Sequence, residues 1–241
     1  MKLTYIYQSG FALEWDGFSI LTDYCRDSSG ETGGGYVHGH LLKRPGTLYI
    51  LVSHSHTDHF NPEIFNWQKE KNNIVYILSK DIAGVHSHLP EGAIILDKLQ
   101  CWEDSRIKVQ AFGSTDIGIS FLVETGGKKI FHAGDLNNWH WEEESTPEEV
   151  KGYETNYLDE LELLAQTATH LDIAMFPVDP RLGKDYARGA RQFIDRIKTD
   201  WFIPMHFWEK YDKAAAFKEY ALNKGCKFAT WTHPGESIEI I

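Results

Sequence analysis

Residues 48–62 read LYILVSHSHTDHFNP, and this stretch decides how the rest of the chain is interpreted. Its first five residues are uninterrupted apolar side chains, a pattern typical of a β-strand that is buried on both faces. Asn61 and Pro62 then provide an N-cap and a first-turn proline, which together predict a helix that ends near residue 71. The histidine-rich segment therefore lies between the end of a buried strand and the start of a helix.

The spacing of ligand-type residues within this segment suits two metal ions. His54 and His56 are two residues apart, so at an extended strand end they project to the same side and can bind one ion. Asp58 and His59 are adjacent and diverge, so they can bind a second ion beside the first. The alternative is a polar loop that happens to contain histidines, although the chain's twelve histidines still make such a chance match rare.

Two other predicted strands also end in ligand-type residues. Residues 131–135 read FHAGD, and a carboxylate such as that of Asp135 can bridge two cations, with one oxygen for each. Residues 201–206 read WFIPMH and end in His206, for which a buried structural histidine is the alternative. Taken alone, Asp135 would be interpreted as a turn residue. Three strand ends that converge on one rim favour a shared metal site.

The rest of the pattern predicts an α/β fold in a single domain over residues 1–241. Strands are predicted over 2–7, 11–15, 18–23, 48–52, 74–78, 93–96, 108–112, 120–124, 128–131, 173–176, 201–204, 227–231 and 237–241. Helices are predicted from a capping box at Thr146 to about residue 168, with Gly152 as a candidate break, and over 186–198 and 212–223. A glycine-rich mobile loop is predicted over 27–40. Strands with helices on both outer faces indicate a layered α/β sandwich.

Composition excludes several classes of protein. With 42% hydrophobic and 24% charged residues, the chain has enough apolar material to fold. Its net charge of −11 opposes binding to nucleic acid, which depends on Lys and Arg contacts to phosphates. Three separated cysteines favour neither a disulfide framework nor a thiolate zinc site, and they indicate a reducing compartment. No segment has the apolar length of a signal peptide or a membrane helix, so we expect a cytoplasmic protein without membrane contacts, and we leave homo-oligomerisation open.

These motifs resemble the metallo-β-lactamase superfamily, whose members are mostly metal-dependent hydrolases. The HxHxDH pattern of residues 54–59 is similar to the most specific motif of that family, the FHAGD segment to its bridging aspartate, and His206 to the last ligand of its second metal site. The resemblance implies a four-layer αβ/βα sandwich. Within the superfamily, the compact length and the IPMHFW segment at 203–208 look most similar to the ascorbate-6-phosphate lactonase-like metallohydrolases.

One segment departs from the pattern of the superfamily. Its members usually carry a Gly-His-Thr segment upstream of the bridging aspartate, and here residues 113–116 read GSTD. Ser114 takes the place of the histidine, and a neutral hydroxyl is a poor zinc ligand. Asp116 lies two residues further along, on the same side of an extended segment, and can supply a carboxylate instead. The alternative is a tight turn and a protein that holds a single metal ion.

The predicted centre therefore holds one or two divalent metal ions. Its predicted ligands are His54, His56, Asp58, His59, Asp116, Asp135 and His206. We expect Zn²⁺ first, with Mn²⁺ or iron as alternatives, since an oxygen-richer ligand set favours harder ions. Asp58 is also expected to act in catalysis by orienting or deprotonating the attacking water.

Residues near the predicted centre indicate the class of substrate. Trp139, His140 and Arg181 are expected to bind a small molecule, because a guanidinium group can hold a carboxylate or phosphate bidentately. Arg181 opens a basic run over residues 181–191, for which a solvated helix face is the alternative. The aromatic residues could equally seal a hydrophobic edge.

Three functions are consistent with these residues. The first is hydrolysis of a small, anionic lactone, ester or phosphodiester by a metal-bound water. The second is an iron-dependent redox enzyme of the same fold. The third is a non-catalytic metal-binding or ligand-binding relative, which the missing histidine of the first metal site would favour.

Overall fold

The structure, a computed structural model, describes residues 1–29 and 34–241. These residues form two compact units. The first unit comprises Met1–Leu96 and Trp231–Ile241, and the second unit comprises Asp97–Thr230. Each unit contains one seven-stranded sheet together with helices, which confirms the predicted α/β class. The prediction of a single domain over 1–241 stays a prediction.

Most of the predicted strands lie within one or two residues of the observed ones. The strands are β1 (Lys2–Tyr7), β2 (Gly10–Trp15), β3 (Phe18–Thr22), β4 (Thr47–Val52), β5 (Ile74–Ser79), β6 (Ile94–Leu96), β7 (Cys101–Glu103), β8 (Lys108–Phe112), β9 (Ser120–Thr125), β10 (Lys128–His132), β11 (His170–Pro177), β12 (Lys198–Met205), β13 (Lys227–Phe228) and β14 (Ser237–Glu239). The helices are α1 (Tyr36–Gly39), α2 (Lys80–Val85), α3 (Pro147–Thr167), α4 (Arg188–Arg196), α5 (Tyr211–Ala216) and α6 (Lys218–Asn223). Short 3-10 helices cover Leu41–Lys43, Pro62–Lys69 and Pro180–Asp185.

The sheet of the first unit has the strand order β14-β1-β2-β3-β4-β5-β6. β1, β2 and β3 form an antiparallel meander, whereas β3, β4, β5 and β6 are parallel neighbours. In β4, every residue from Leu48 to Val52 is at most 1% exposed, which confirms that this strand is buried on both faces. Thr22 of β3 pairs with Leu51 of β4, so the residues that follow these two strands emerge at the same edge of the sheet.

The sheet of the second unit has the order β13-β12-β11-β10-β9-β8-β7. Its strands β10, β11 and β12 are parallel neighbours, with His132 opposite Met175 and Pro177 opposite Met205. The segments that follow these three strands therefore also emerge at one sheet edge. This register brings together parts of the second unit that are far apart in the sequence.

Several helix predictions needed correction. The helix predicted to start at Asn61 is a 3-10 helix, Pro62–Lys69, although Asn61 caps it as expected by accepting a hydrogen bond from the backbone N of Glu63. Its buried residues Ile64 and Trp67 are three apart, which matches the 3-10 repeat. Gly152 does not break α3, because that position is exposed and a glycine there costs only helix propensity. The helix predicted over 212–223 is divided into α5 and α6.

The loop predicted over 27–40 is wrong in part, and its residues 30–33 lie outside the described residues. The described part contains α1, which is held by the buried carboxylate of Asp27. This carboxylate accepts hydrogen bonds from the backbone N of Val37 and of His38, each at 2.9 Å, and from Nδ1 of His38 at 2.8 Å. A glycine-rich composition gave no indication of this buried acceptor. In the part of the chain that the structure describes, no helix combines the length and apolar character needed to cross a membrane.

Candidate metal centre

In the first unit, the histidine motif follows β4 directly. His54 and His59 are fully buried, Asp58 is half-buried and His56 is exposed. The ring centroid of His54 lies 4.1 Å from that of His59 and 4.8 Å from that of His56. Candidate ligand atoms of Asp23, His54 and His59 all lie within 4.8 Å of one another. The structure thus gathers the predicted histidines and adds a buried carboxylate that sequence reasoning had not assigned to the site.

Asp23 follows β3 and binds the motif with both carboxylate oxygens. Oδ1 accepts a hydrogen bond from the backbone N of Ser53 at 2.7 Å. Oδ2 accepts from Oγ of Ser53 at 2.6 Å and from Nδ1 of His59 at 2.7 Å. Asp23 therefore holds the start of the motif and the ring of its last histidine.

These bonds determine which ring nitrogen of each buried histidine carries the proton. Nδ1 of His59 must donate, because a carboxylate only accepts. The hydroxyl of Ser53 gives its one proton to Asp23, so it must accept from Nδ1 of His54, which lies 2.9 Å away. With the proton on Nδ1, Nε2 is the ring nitrogen that offers its lone pair to a metal ion.

A second carboxylate fixes the backbone of the motif. Oδ2 of Asp81, in α2, accepts a hydrogen bond from the backbone N of Ser55 at 2.8 Å. The backbone N of His59 and of Phe60 both donate to the carbonyl of His56, which forms the turn that places Asp58 and His59. The sequence carried no signal for Asp81, because its partner lies in a different element.

In the second unit, Asp135 follows β10 and His206 follows β12. Both are buried, and Nε2 of His206 lies 3.4 Å from Oδ1 of Asp135. Nδ1 of His206 lies 2.9 Å from Oδ2 of Asp179, so this ring too carries its proton on Nδ1. The two predicted ligands of the second unit are therefore neighbours, and Asp179, which bonds to His206, is a residue that sequence reasoning missed as part of the site.

Asp116 and Ser114 lie in the segment that was expected to replace the missing histidine. Ser114 is half-buried, Asp116 is exposed, and the backbone N of Asp116 lies 3.3 Å from Oγ of Ser114. Among the described residues, Asp116 belongs to none of the clusters of candidate metal ligands. Thr115, between them, bonds through its hydroxyl to the backbone of Asn137 and so positions the segment that follows Asp135.

Aromatic side chains surround His206 in the second unit. Nε1 of Trp139 donates to the carbonyl of Asp135 at 2.8 Å, and its ring centroid lies 5.5 Å from that of His206. Trp141 stacks on Trp139 at 6.2 Å, and Trp208 meets His206 edge-on at 5.8 Å. Trp139 therefore lies beside His206 and Asp135, and its contact with a substrate stays a prediction.

His140 bonds to backbone with both ring nitrogens. Nε2 lies 3.3 Å from the carbonyl of Asp185, and Nδ1 lies 3.2 Å from the backbone N of Glu142. Burial, together with the nearby guanidinium of Arg188, lowers the pKa of His140, so this ring is neutral near pH 7. This bonding supports a structural role, and contact of His140 with substrate stays a prediction.

Carboxylates neutralise most of the positive charge of the basic run that begins at Arg181. Arg188 forms ion pairs with Asp185 at 2.6 Å and with Glu142 at 2.5 Å, and Arg191 pairs with Asp185. Arg181 pairs with Asp179 at 2.6 Å, but its side chain is 48% exposed. The run is therefore not a strongly positive patch, and Arg181 is its best candidate for contact with a bound anion.

The chemistry of this donor set fits a divalent metal ion. Imidazole nitrogens suit Zn²⁺, iron and other transition metals, and carboxylates extend the range to Mn²⁺. In the buried histidines of both units, the hydrogen bonds at Nδ1 leave Nε2 to ligate a metal ion. The fold and these donors define the chain as a metallo-β-lactamase fold protein.

Comparison with known proteins gives the family. Residues 2–150 match the family described as β-lactamase superfamily domain, and the chain belongs to it. The chain is 23% identical over 224 residues to a UPF0173 metal-dependent hydrolase from Carboxydothermus hydrogenoformans, a match that covers 86% of this chain and 84% of that protein. Together these matches place the chain among the metal-dependent hydrolases of the metallo-β-lactamase superfamily.

Solved structures confirm the fold class. Igni18, a metallo hydrolase from Ignicoccus hospitalis, is similar with a TM-score of 0.68 and 16% identity over 100% of this chain and 99% of that one. CmlA, a diiron β-hydroxylase from Streptomyces venezuelae, is similar with a TM-score of 0.69 and 14% identity over 99% of this chain and 54% of that one. The narrower resemblance to ascorbate-6-phosphate lactonase-like enzymes stays a prediction.

Proposed function

We propose that the protein is a hydrolase that depends on bound metal. The proposed metal ligands of the first unit are His54, His56, Asp58 and His59. The proposed metal ligands of the second unit are Asp135 and His206. One observation carries this proposal: hydrogen bonds place the ring proton of His54, His59 and His206 on Nδ1, so each Nε2 is prepared for a metal ion. Three buried histidines prepared in the same way favour metal binding over a purely structural role.

Different residues of the proposed centre have different roles in hydrolysis. A divalent ion, when bound, lowers the pKa of coordinated water and polarises a carbonyl or phosphoryl oxygen. Asp58 is half-buried, and its Oδ2 lies 3.7 Å from Nε2 of His59, which supports a role in orienting or deprotonating the attacking water. Trp139 and the neighbouring rings keep bulk water from the side of His206.

We propose one or two divalent ions, with Zn²⁺ as the first expectation and Mn²⁺ or iron as alternatives. The choice depends on the segment that contains Ser114 and Asp116. If Asp116 supplies a carboxylate, Asp116→Ala lowers the bound metal by up to one equivalent, and Ser114→His raises the affinity for Zn²⁺ by restoring an imidazole. Elemental analysis and competition with a chelator measure both effects. Unchanged metal content and affinity in both variants would favour a single ion and an uninvolved Asp116.

We propose a small molecule with an anionic group as the substrate, with a lactone, ester or phosphodiester as the bond that is broken. Arg181 supports this proposal. Its Nε and Nη2 donate to Asp179, whereas Nη1 donates to no group within the described ranges 1–29 and 34–241. An exposed guanidinium edge of this kind can bind a carboxylate or phosphate.

Kinetics on matched anionic and neutral substrates test this proposal. We expect Arg181→Ala to raise KM for anionic lactones, esters or phosphodiesters by about tenfold or more, since a charge-assisted hydrogen bond contributes about 1.5–3 kcal/mol. Arg188→Ala is the matched control: Arg188 bonds to two carboxylates, those of Asp185 and Glu142, so KM should change little. Equal effects of Arg181→Ala on both substrate classes would contradict anion recognition, and bound metal without turnover on the whole panel would favour a non-catalytic relative.

A further inference from the structure

Asp179 is a buried carboxylate that follows β11, next to the strand that leads to His206. It is fully buried and begins the 3-10 helix Pro180–Asp185 by accepting a hydrogen bond from the backbone N of Arg181 at 2.9 Å. Its Oδ2 accepts from Nδ1 of His206 at 2.9 Å. No short motif marks this aspartate, because its partner lies 27 residues away in the sequence.

Arg181 holds the same carboxylate from the other side. Its Nε lies 3.1 Å from Oδ1 and 2.9 Å from Oδ2 of Asp179, and its Nη2 lies 2.6 Å from Oδ2. The guanidinium carbon lies 4.9 Å from the ring centroid of Trp208 and 5.8 Å from that of Trp141, within the range of cation–π attraction. Asp179 is thus fixed between a clamped guanidinium and the ring of His206.

The backbone around this clamp is strained. His206, Trp208 and Trp141 have φ values of 60°, 49° and 41°, in the left-handed region that bulky residues rarely adopt. Such strain persists only where the surrounding structure enforces it. These three strained residues are ones whose rings contact Arg181 or Asp179.

We propose that Asp179 is a positioning residue: with Arg181 clamped behind it, it holds His206 with the proton on Nδ1 and the lone pair of Nε2 turned toward Asp135. Arg181 offers only donors, so both oxygens of Asp179 must accept and the carboxyl group is ionised. His206 must then donate through Nδ1. The first unit uses the same arrangement, in which Asp23 follows one parallel strand and holds His59 after the next.

Tautomer analysis of the metal-free protein tests the proposal directly. In ¹⁵N NMR spectra recorded above the pKa of the ring, we expect His206 of the wild type to carry its proton on Nδ1. In Asp179→Asn, we expect the amide oxygen to keep its hydrogen bond from the backbone N of Arg181, so that the amide NH₂ faces Nδ1 of His206. Nδ1 must then accept a hydrogen bond, and the ring proton of His206 moves to Nε2. Asp185→Asn is the matched control: like Asp179, Asp185 is paired with arginine, here Arg188 and Arg191, but its side-chain bonds among the described residues do not include His206.

Three results would overturn the proposal: a wild-type His206 protonated on Nε2, an unchanged tautomer in Asp179→Asn, or the same tautomer shift in Asp185→Asn. The wild-type spectrum decides the matter even where the variant does not fold. Arg181→Lys is a further check. We expect a smaller fraction of His206 rings to carry the proton on Nδ1 than in the wild type, because a single ammonium group replaces the planar two-point contact with Asp179.

Binding of Zn²⁺ extends the test and rests on the proposed function. We expect Asp179→Asn to weaken Zn²⁺ binding about 10- to 100-fold, and Asp185→Asn to leave it unchanged. His206→Ala separates two failures. If His206→Ala weakens Zn²⁺ binding but Asp179→Asn does not, the positioning role is wrong. If His206→Ala itself has no effect, His206 is not a ligand and the proposed metal centre fails, while the tautomer result stands on its own.

Discussion

Replacing His54 or His59 with alanine is expected to abolish metal binding by the histidine motif and to lower kcat/KM by about a thousandfold or more. Both side chains are fully buried, and both have Nε2 prepared to ligate by hydrogen bonds at Nδ1. A metal ion contributes several kcal/mol of transition-state stabilisation, and each 1.36 kcal/mol corresponds to about a tenfold change in rate. Elemental analysis of the purified variants and steady-state kinetics measure the two effects.

The control for this prediction is a histidine outside the motif. His88 is exposed, and its Nδ1 lies 2.9 Å from Oγ of the adjacent Ser87. We expect His88→Ala to keep wild-type metal content and activity. Wild-type metal content in either His54→Ala or His59→Ala would show that the motif does not hold the metal.

Replacing Asp23 with alanine is expected to weaken metal binding about 10- to 100-fold and to destabilise the first unit. Asp23 does not need to touch the metal for this effect, because it fixes the ring and tautomer of His59 and, through Ser53, those of His54. Its removal leaves buried donors of Ser53 and His59 without their acceptor, at a cost of about 1–3 kcal/mol each. Competition with a chelator and thermal unfolding report the two consequences separately.

Asp16 is the matched control for Asp23. It is exposed in the turn between β2 and β3, so Asp16→Ala should change neither metal affinity nor the free energy of unfolding by more than about 0.5 kcal/mol. A normal metal affinity in Asp23→Ala would mean that the histidines do not need this carboxylate, and the argument from tautomers would be contradicted.

The elements that sequence predicted best are those with strong local signals. The five apolar residues 48–52 predicted β4, and the Thr146 capping box with its proline predicted the start of α3. Local signals were weaker where two helix types compete: the Asn61 cap was predicted, but its helix has the 3-10 repeat set by buried Ile64 and Trp67. The site residues predicted from sequence were those within short motifs or at strand ends.

The residues that sequence reasoning missed depend on pairing between strands. Asp23 contacts His59 only because β3 and β4 are parallel neighbours whose ends are in register. Asp179 contacts His206 for the same reason, since β11 and β12 are parallel and their ends are in register. Hydrophobic periodicity predicts that a strand exists, but not which strand lies beside it or in which register. The carboxylate partners of the basic run could not be predicted for a similar reason, since one of them, Glu142, lies 46 residues from Arg188.

The most direct test of the central claim, that the buried histidines are metal ligands, is a crystal structure of the metal-loaded protein with anomalous data at the metal's absorption edge. We predict an ion at about 2.0–2.1 Å from Nε2 of His54 and of His59 if it is Zn²⁺, and a metal ion bound to Nε2 of His206. Direct ligation requires bonds near 2 Å, so a metal-loaded structure with no ion within about 3 Å of these Nε2 atoms would contradict the claim.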